Sequence, residues 1–208
     1  MVDASLYLAF LVAAIVLVII PGPDMLMILA LGMRHGPAAG FMAALGVSVG
    51  LAVHTAAAAF GLSALFAYLP VLYHGLRWAG AAYLVYLAVM AFRDRSALNP
   101  DEDDAPPRTS HWRCFWRAVL TNVLNPKVIV FNVAFLPQFV NPALGNVGLQ
   151  LFVLGATLVL VDLMIDGPIG LAAGKLGKLV RNRKVARGLN IGCGTIFTAL
   201  AVRLVVAD

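Results

Sequence analysis

The sequence predicts an all-α membrane protein with six transmembrane helices, and three observations lead to that prediction. The 208-residue chain is 62% apolar and 12% charged, whereas soluble domains average about 45–50% apolar and about 25% charged. The apolar residues fall into six runs, each long enough for the roughly 20 residues that a bilayer-spanning helix needs. The basic residues fall mainly in the connections between those runs.

The six predicted spans follow one another with short connections, apart from one longer polar stretch. They cover Leu6 to Met33, Gly40 to Leu69, Val71 to Phe92, Phe115 to Val140, Val147 to Ala173 and Leu189 to Val206. We divide the single membrane domain into a first three-helix repeat over residues 1–92, a cytoplasmic loop over residues 93–113 and a second three-helix repeat over residues 114–208. The loop contains an acidic, proline-rich segment, which is typical of a flexible connection.

The distribution of basic residues predicts the orientation of the chain. With six spans, twelve of the fifteen Lys and Arg residues fall on one side of the membrane: Arg34, Arg93, Arg95, Arg108, Arg113, Arg117, Lys175, Lys178, Arg181, Arg183, Lys184 and Arg187. Because basic loops resist translocation, this side is predicted to be cytoplasmic, with both termini outside. Because the basic residues lie mainly in loops between apolar spans, they also argue against nucleic acid as a partner, and membrane lipid is the expected surrounding.

Two proline-containing breaks interrupt the apolar pattern at matching places in the two halves. The first span contains Pro-Gly-Pro-Asp ending at Asp24, the fourth contains Leu-Asn-Pro-Lys ending at Lys127, and Pro23 and Pro126 lie 103 residues apart. Three helices per half is an odd number, so the halves would be inverted in the membrane. Broken helices at corresponding positions of inverted repeats indicate a transporter's binding site, where proline leaves backbone carbonyls free. Simple proline kinks are the alternative.

Two charged residues lie at these breaks, deep within predicted spans. Asp24 is ten residues from Arg34 and Lys127 is ten residues from Arg117, which places each about 15 Å inside the membrane in a helix. An ionisable residue at that depth is costly, so it usually has a partner or a functional role. We expect Asp24 and Lys127 to approach each other near the membrane centre and to bind substrate. A purely structural ion pair is the alternative.

The fifth span adds two carboxylates, Asp162 and Asp166. Their four-residue spacing places them on one face of a helix. Two close carboxylates disfavour joint ionisation, so one of them can hold a proton, which suits proton coupling. For Asp166, which precedes Gly167 and Pro168, a structural role at the helix end is the alternative.

Other polar residues in the spans are weaker candidates. His54 in the second span can relay protons, although a packed and hydrogen-bonded histidine is the more ordinary interpretation. Asn122, Asn125 and Asn132 can hydrogen-bond a ligand, and Asn125 is the best placed because it lies at the second break.

Small residues recur at the four-residue spacing that lets helix backbones approach closely. The pairs are Gly36 with Gly40, Gly46 with Gly50, and Gly170 with Gly174. The spacing predicts tight helix contacts without separating contacts within one chain from contacts between two chains.

Enzyme chemistry and metal binding have little support in the sequence. Two distant cysteines and four scattered histidines form neither a disulfide framework nor a soft-metal site. A membrane-embedded enzyme would need a cluster of acid–base or metal-binding side chains, and the chain has one intramembrane histidine. We therefore expect no catalytic residue, no metal site and no cofactor. An accessory membrane protein without transport activity and an uptake carrier remain as alternatives.

The motifs together resemble the LysE/RhtB family of amino-acid exporters, of the homoserine, threonine and leucine efflux type. The resemblance covers almost the whole chain. It rests on Pro21-Gly22-Pro23-Asp24-Met25, on Gly36-Pro37-Ala38-Ala39-Gly40, on Leu124-Asn125-Pro126-Lys127 with Phe131, and on Phe135-Leu136-Pro137-Gln138-Phe139.

The resemblance implies a function as well as a fold. It implies export of a small amino acid or a close derivative, driven by the proton gradient, across the bacterial inner membrane. It also suggests a homodimer. A related branch exports metal cations, which keeps export of metal ions or other small solutes as an alternative function.

Overall fold

In a computed structural model of the protein, the regular structure of the described residues is entirely helical. The structure describes residues 2–19, 22–68, 110–180 and 183–206, with scattered positions between residues 75 and 93. The α-helices are α1 (Ala4–Ile19), α2 (Pro23–His35), α3 (Pro37–Tyr68), α4 (His111–Val123), α5 (Pro126–Val130), α6 (Val147–Leu171), α7 (Ala173–Val180) and α8 (Arg183–Val206). A π-helix (Phe131–Phe135) and two 3₁₀ helices (Leu136–Phe139 and Pro142–Leu144) separate α5 from α6.

The predicted break in the first span lies between α1 and α2, whose axes meet at 49°. Gly22 precedes α2 in an extended conformation, and Pro23 is the first helical residue. Proline is tolerated there because the amide of the first helical position has no acceptor within the helix. The helix therefore restarts at the proline that interrupts the apolar pattern.

The predicted break in the fourth span lies between α4 and α5, and the two parts of this span meet at 53°. Asn125 caps α5, accepting a hydrogen bond from the amide of Lys127 at 3.0 Å. Beyond α5 the chain continues as a π-helix and then a 3₁₀ helix, which the sequence did not predict. Pro137 lies in this segment and has no amide hydrogen to donate to the carbonyl one turn earlier, which favours a departure from regular α-helical geometry.

Two long helices, α3 and α6, form the centre of the fold and pack along each other. Where they cross, a Cβ added to Gly40 would overlap the backbone of Gly170, and one added to Gly170 would overlap Gly40. Gly46 and Gly50 lie equally close to α4. The close contacts at these four glycines are therefore contacts within one chain, whereas no atom lies within 4 Å of a Cβ built on Gly174.

Gly36 differs in backbone conformation from the other glycines of these motifs. It ends α2 with φ of 91°, a left-handed conformation that glycine adopts without steric cost. No atom lies within 4 Å of a Cβ built on it. Gly36 therefore sets the turn between α2 and α3 and does not mediate a close helix contact.

The helices give between two and four candidate membrane spans in the described part of the chain. Residues Pro37–Phe60 of α3 and the whole of α6 are long and apolar enough individually. Two bent pairs raise the number to four: α1 with α2, and α4 with residues Lys127–Phe139. The predicted sixth span lies within α8. The predicted third span and the central loop lie outside the described residues, apart from scattered positions and residues 110–113.

Large apolar side chains cover much of the outer surface. Phe60 and Met164 are 82% and 76% exposed, and Trp112 and Trp116 at the start of α4 are also exposed. Soluble monomers rarely expose so much contiguous apolar surface.

The interior contains a row of buried phenylalanines in successive ring contact: Phe131 with Phe135, Phe135 with Phe139, and Phe139 with Phe10.

Candidate functional site

Asp24 is the second residue of α2 and is buried, with 6% of its surface exposed. Its Oδ2 accepts hydrogen bonds from Asn125 Nδ2 at 2.6 Å and from Asn122 Nδ2 at 3.2 Å. Its position in the first turn of α2 adds favourable electrostatics, because a helix N-terminus carries partial positive charge. Its Oδ1 is buried and has no hydrogen-bond partner among the described residues.

Asn125 connects the two breaks. Its Oδ1 caps α5 through the amide of Lys127, while its Nδ2 donates to Asp24 at the start of α2. The cap bond fixes the orientation of the side-chain amide, since only the oxygen can accept. One buried side chain thus joins the first turn of each helix that follows a break, although the two segments are about a hundred residues apart in sequence.

Lys127 extends from the second break towards the first. A Cβ built on Gly22 would lie 2.9 Å from Lys127 Nζ, so the ammonium group lies against the backbone between α1 and α2. Glycine at this position leaves room for that ammonium group. The structure thus places the Lys127 ammonium group beside Gly22, at the break in the first span.

The carboxylates of α6 complete the buried polar cluster. Asp162 is 6% exposed, and its Oδ2 accepts a hydrogen bond from Ser48 Oγ at 2.7 Å. Asp166 is 3% exposed, and its Oδ1 has no hydrogen-bond partner in the part of the chain that the structure describes. Although Pro168 follows, α6 continues to Leu171, so Asp166 lies within the helix.

These charged residues line one cavity of about 20 Å³. Its polar wall consists of Asp24, Asn122, Lys127, Asp162 and Asp166, and its apolar wall of Leu17, Val18, Met25, Leu51, Val128 and Leu158. A cavity of this volume holds about one water molecule. Within the described ranges, no three His, Cys, Asp or Glu side chains are arranged to share a metal ion.

The remaining candidate residues lie around the cavity without lining it. His54 Nε2 is 3.2 Å from the backbone oxygen of Asn122, behind the cavity wall. Pro23 and Pro126 begin α2 and α5. Asn132 donates from Nδ2 to the backbone oxygen of Val128 at 3.0 Å, in the π-helical segment.

Ser48 and the role of Asn122 were not predicted from the sequence. Asn122 precedes the second break by one helical turn, and that spacing is the signal that could have placed it beside Asn125. Ser48 gives no comparable signal, because a serine in a membrane helix can bond to the carbonyl one turn earlier and needs no other partner. Only the packing of α3 against α6 brings its hydroxyl to Asp162.

Comparison with known proteins gives a consistent result over the full length of the chain. A protein-family model described as LysE type translocator matches residues 15–208. The chain is 32% identical over 205 residues to an uncharacterized membrane protein of Vibrio cholerae, covering 99% of this chain and 98% of that protein.

Two other relatives have functional names. A leucine efflux protein of Klebsiella pneumoniae is 31% identical over 205 residues, covering 95% of this chain and 93% of that protein. A homoserine/homoserine lactone efflux protein of Salmonella typhi is 29% identical over 201 residues, covering 97% of this chain and 96% of that protein. No solved structure matches the chain significantly. The chain therefore belongs to the LysE family of translocators, which are transporters and not enzymes.

Proposed function

We propose that the protein exports a small neutral amino acid, or a close derivative, from the cytoplasm in exchange for protons. The observation that supports this proposal most directly is the buried cavity between the two broken helices, which has Asp24 and Lys127 in its wall. Opposite charges in one buried cavity suit a zwitterion. The names of the leucine and homoserine efflux relatives support the same substrate class.

The cavity offers a complementary group for each part of an amino acid. The Lys127 ammonium and backbone groups at the breaks would bind the substrate carboxylate. Asp24 Oδ1, which is buried and has no hydrogen-bond partner among the described residues, would accept from the substrate ammonium. Charge-assisted hydrogen bonds of this kind are stronger than neutral ones. The apolar wall that includes Leu51 and Leu158 would contact an aliphatic side chain.

Transport requires the cavity to enlarge and to open to each side in turn. At about 20 Å³ it holds a water molecule but no amino acid. The bends of 49° and 53° at the two breaks provide places where helix segments can move relative to one another. We propose that the two halves, residues 1–92 and 114–208, rock about this site as inverted repeats.

The proton gradient would supply the driving force through the buried carboxylates. A proton entering from outside would neutralise an aspartate in the cavity, either Asp24 or a carboxylate of α6. The loss of a negative charge weakens the binding of the substrate ammonium, so proton uptake and substrate release are coupled. Release of that proton to the cytoplasm would restore the binding state.

The membrane setting belongs to the same proposal. We place the chain in the bacterial inner membrane with six spans. Both termini would lie outside, and the loops with Arg34 and Lys175 would lie in the cytoplasm, because basic residues are retained there. We also propose a homodimer, which chemical cross-linking of the protein in native membranes would detect as a species of twice the monomer mass.

Transport by charge-removing variants tests the binding site. In vesicles containing purified protein, Lys127→Met and Asp24→Asn should each reduce leucine or homoserine transport about tenfold or more, because each removes a charged hydrogen-bonding group. Lys175→Met, which removes an exposed lysine outside the cavity, serves as the matched control. Transport at the wild-type rate in both cavity variants would show that the site assignment is wrong.

The identity of the exported amino acid can be measured directly. Cells that express the protein are supplied with mixed dipeptides, which are hydrolysed inside, and the free amino acids that appear outside are measured over time. We expect one or more neutral amino acids to appear faster than in cells with an empty vector. The absence of any difference would contradict amino-acid export.

A further inference from the structure

We propose that Asp162, together with Ser48, is the site that takes up the coupling proton, whereas Asp24 stays ionised throughout the transport cycle. The inference rests on the proposed function, because it assigns the proton to one carboxylate of the same cavity. The two aspartates are equally buried, at 6% exposure each. They differ in the chemistry of their hydrogen-bond partners.

Asp24 is held by groups that only donate. Both partners of its Oδ2 are the side-chain NH₂ groups of Asn122 and Asn125, and an amide nitrogen cannot accept a hydrogen bond. The orientation of Asn125 is fixed, because its oxygen is used to cap α5. Two donors on one carboxylate oxygen favour the ionised form. These hydrogen bonds would therefore keep Asp24 ionised throughout the transport cycle.

Asp162 is held by a group that can reverse its role. The Ser48 hydroxyl donates to an ionised Asp162 across 2.7 Å, and after rotation it can accept from a protonated Asp162. The hydrogen bond thus survives in both protonation states. A carboxylate that gains and loses a proton in every cycle needs such a partner, because no buried polar group is then left unpaired in either state.

Asp166 provides a second, independent observation. It lines the same cavity one helical turn from Asp162, is 3% exposed, and its Oδ1 has no hydrogen-bond partner among the described residues. Asp24 Oδ1 also lacks a partner, but Asp24 accepts two hydrogen bonds at Oδ2. Asp166 accepts none from the described residues, and a buried carboxyl group without donors favours its neutral, protonated form. Since carboxylates one turn apart disfavour joint ionisation, the pair retains one proton and exchanges a second through Asp162.

The charged groups that face this pair come from two other helices. Among the described residues that line the cavity, α2 contributes Asp24 and α5 contributes Lys127, while the α1 residues are apolar. On α3, Ser48 bonds to Asp162 and His54 lies at the backbone oxygen of Asn122. When Asp162 is ionised and Asp166 is protonated, the cavity contains two negative carboxylates, Asp24 and Asp162, and the positive ammonium group of Lys127. The ammonium group of the substrate neutralises the remaining negative charge.

Protonation of Asp162 removes that excess charge and releases the substrate ammonium. One proton from the outer solution bonds to the Asp162 carboxylate, which becomes neutral, and the same proton later leaves to the cytoplasm. No other covalent bond changes. Proton and amino acid therefore alternate in the cavity, as an antiporter requires.

Transport of radiolabelled leucine by purified protein in vesicles separates the two aspartates. Asp162→Asn should retain leucine exchange, with an apparent affinity fixed at the weak value that the wild type shows at acid pH, and an imposed pH gradient should no longer drive transport. Asp24→Asn should reduce exchange about tenfold and keep the pH dependence. Asp3→Asn, which alters a carboxylate outside the cavity, should match the wild type.

Ser48→Ala tests the partner of Asp162 with a milder change. The Ser48 hydrogen bond is stronger to the ionised carboxylate than to the neutral acid. Its loss should therefore move the pH midpoint of leucine affinity upward by up to about one unit, with coupling retained. An unchanged midpoint would show that Ser48 has no such role. The proposal would be overturned if leucine affinity still depended on pH in Asp162→Asn, or if that pH dependence were lost in Asp24→Asn.

Infrared spectroscopy gives a reading that needs no substrate. The difference spectrum between acid and alkaline pH should contain the C=O stretch of a protonated carboxylic acid in the wild type and in Asp24→Asn, and that band should be lost or reduced in Asp162→Asn. A band that disappears in Asp24→Asn instead would place the proton on Asp24. If the wild type moves no leucine or homoserine, the proposed function fails while this measurement still decides the proton site.

Discussion

At the scale of single residues, Asn125 shows how one side chain can serve two helices. It caps α5 and also donates the shorter of the two hydrogen bonds to Asp24, at 2.6 Å. An unpaired buried carboxylate is costly, so the amide makes a charge tolerable that would otherwise destabilise the fold. Stability and the geometry of the site therefore depend on the same atoms.

Replacement of Asn125 by alanine should destabilise the protein by roughly 2–4 kcal/mol. The estimate combines about 1 kcal/mol for a lost helix cap with about 1–3 kcal/mol for a lost donor to a buried charge. Asn125→Ser keeps a capping oxygen and should lose less. Thermal unfolding in detergent measures both variants, and equal stability of the two would contradict the contribution of the cap to α5, since both variants lack the donor to Asp24.

Asp3 gives a pH-dependent effect outside the membrane-spanning helices. Hydrogen bonds from the Ser5 side chain, the Leu6 amide and the Asn141 side chain lower the pKa of Asp3 below its ordinary value of 3.8. A depressed pKa means that the ionised form stabilises the first turn of α1 above that pH and that this contribution is lost as the pH falls through the lowered pKa.

The start of α1 should therefore fray in acid. Amide hydrogen exchange at Ser5 and Leu6, whose amides donate to the Asp3 carboxylate, should accelerate relative to the rest of α1 once the pH falls below 3.8. Asp3→Asn keeps a capping oxygen without an ionisable group and should remove the acid-dependent part of this effect. The same acceleration in Asp3→Asn would exclude Asp3 as its cause.

At the scale of helices, the crossing of α3 and α6 decides how the cavity wall is assembled. The backbones touch at Gly40 and Gly170, and this contact places α6, with Asp162 one helical turn before Asp166, beside α3. A side chain at the crossing would separate the two helices. The glycine spacing predicted a close contact, and the structure shows which helix each glycine meets.

Replacement by alanine should affect the stability of the protein differently at the two glycines of one motif. Gly170→Ala places a methyl group against the backbone of Gly40 and should destabilise the protein by about 1–3 kcal/mol. Gly174→Ala meets no atom within 4 Å and should be neutral or slightly stabilising, because alanine favours helix. Thermal unfolding in detergent compares them, and equal melting temperatures would contradict the close contact at the crossing.

At the scale of the whole molecule, the orientation in the membrane determines what each opening of the cavity reaches. Basic residues predict that Arg34 and the start of α7 face the cytoplasm. The substrate would then enter from the side of Lys175 and leave on the side of the termini. The direction of transport relative to the proton gradient therefore depends on this orientation.

Cysteine labelling measures the orientation directly. In a background with Cys114 and Cys193 replaced by alanine, Ser5→Cys should react with a membrane-impermeant thiol reagent in intact spheroplasts. Lys175→Cys, at an exposed position of α7, should react only after the membrane is opened. The reverse pattern would show that the chain is inserted the other way.

Much of the architecture could be predicted from composition and periodicity. The all-helical fold follows from the length of the apolar runs, and both helix breaks follow from prolines that cannot continue a helix. The buried positions of Asp24, Asp162 and Asp166 were also predictable, because charge is rare within apolar spans. The change to π and 3₁₀ geometry after Val130 was not, since it depends on how neighbouring helices hold the unsatisfied backbone groups.

One could predict from the sequence alone which segments are helical, where two of them break and which charges lie inside the apolar spans. These properties are local, because they depend on the length of an apolar run or on the absence of an amide hydrogen. Only the tertiary structure decided that Asn125 and Asn122 bond to Asp24 and that Ser48 bonds to Asp162. Hydrogen bonds between residues about a hundred positions apart depend on how the helices pack. The spacing of these residues along the chain does not predict which of them will meet.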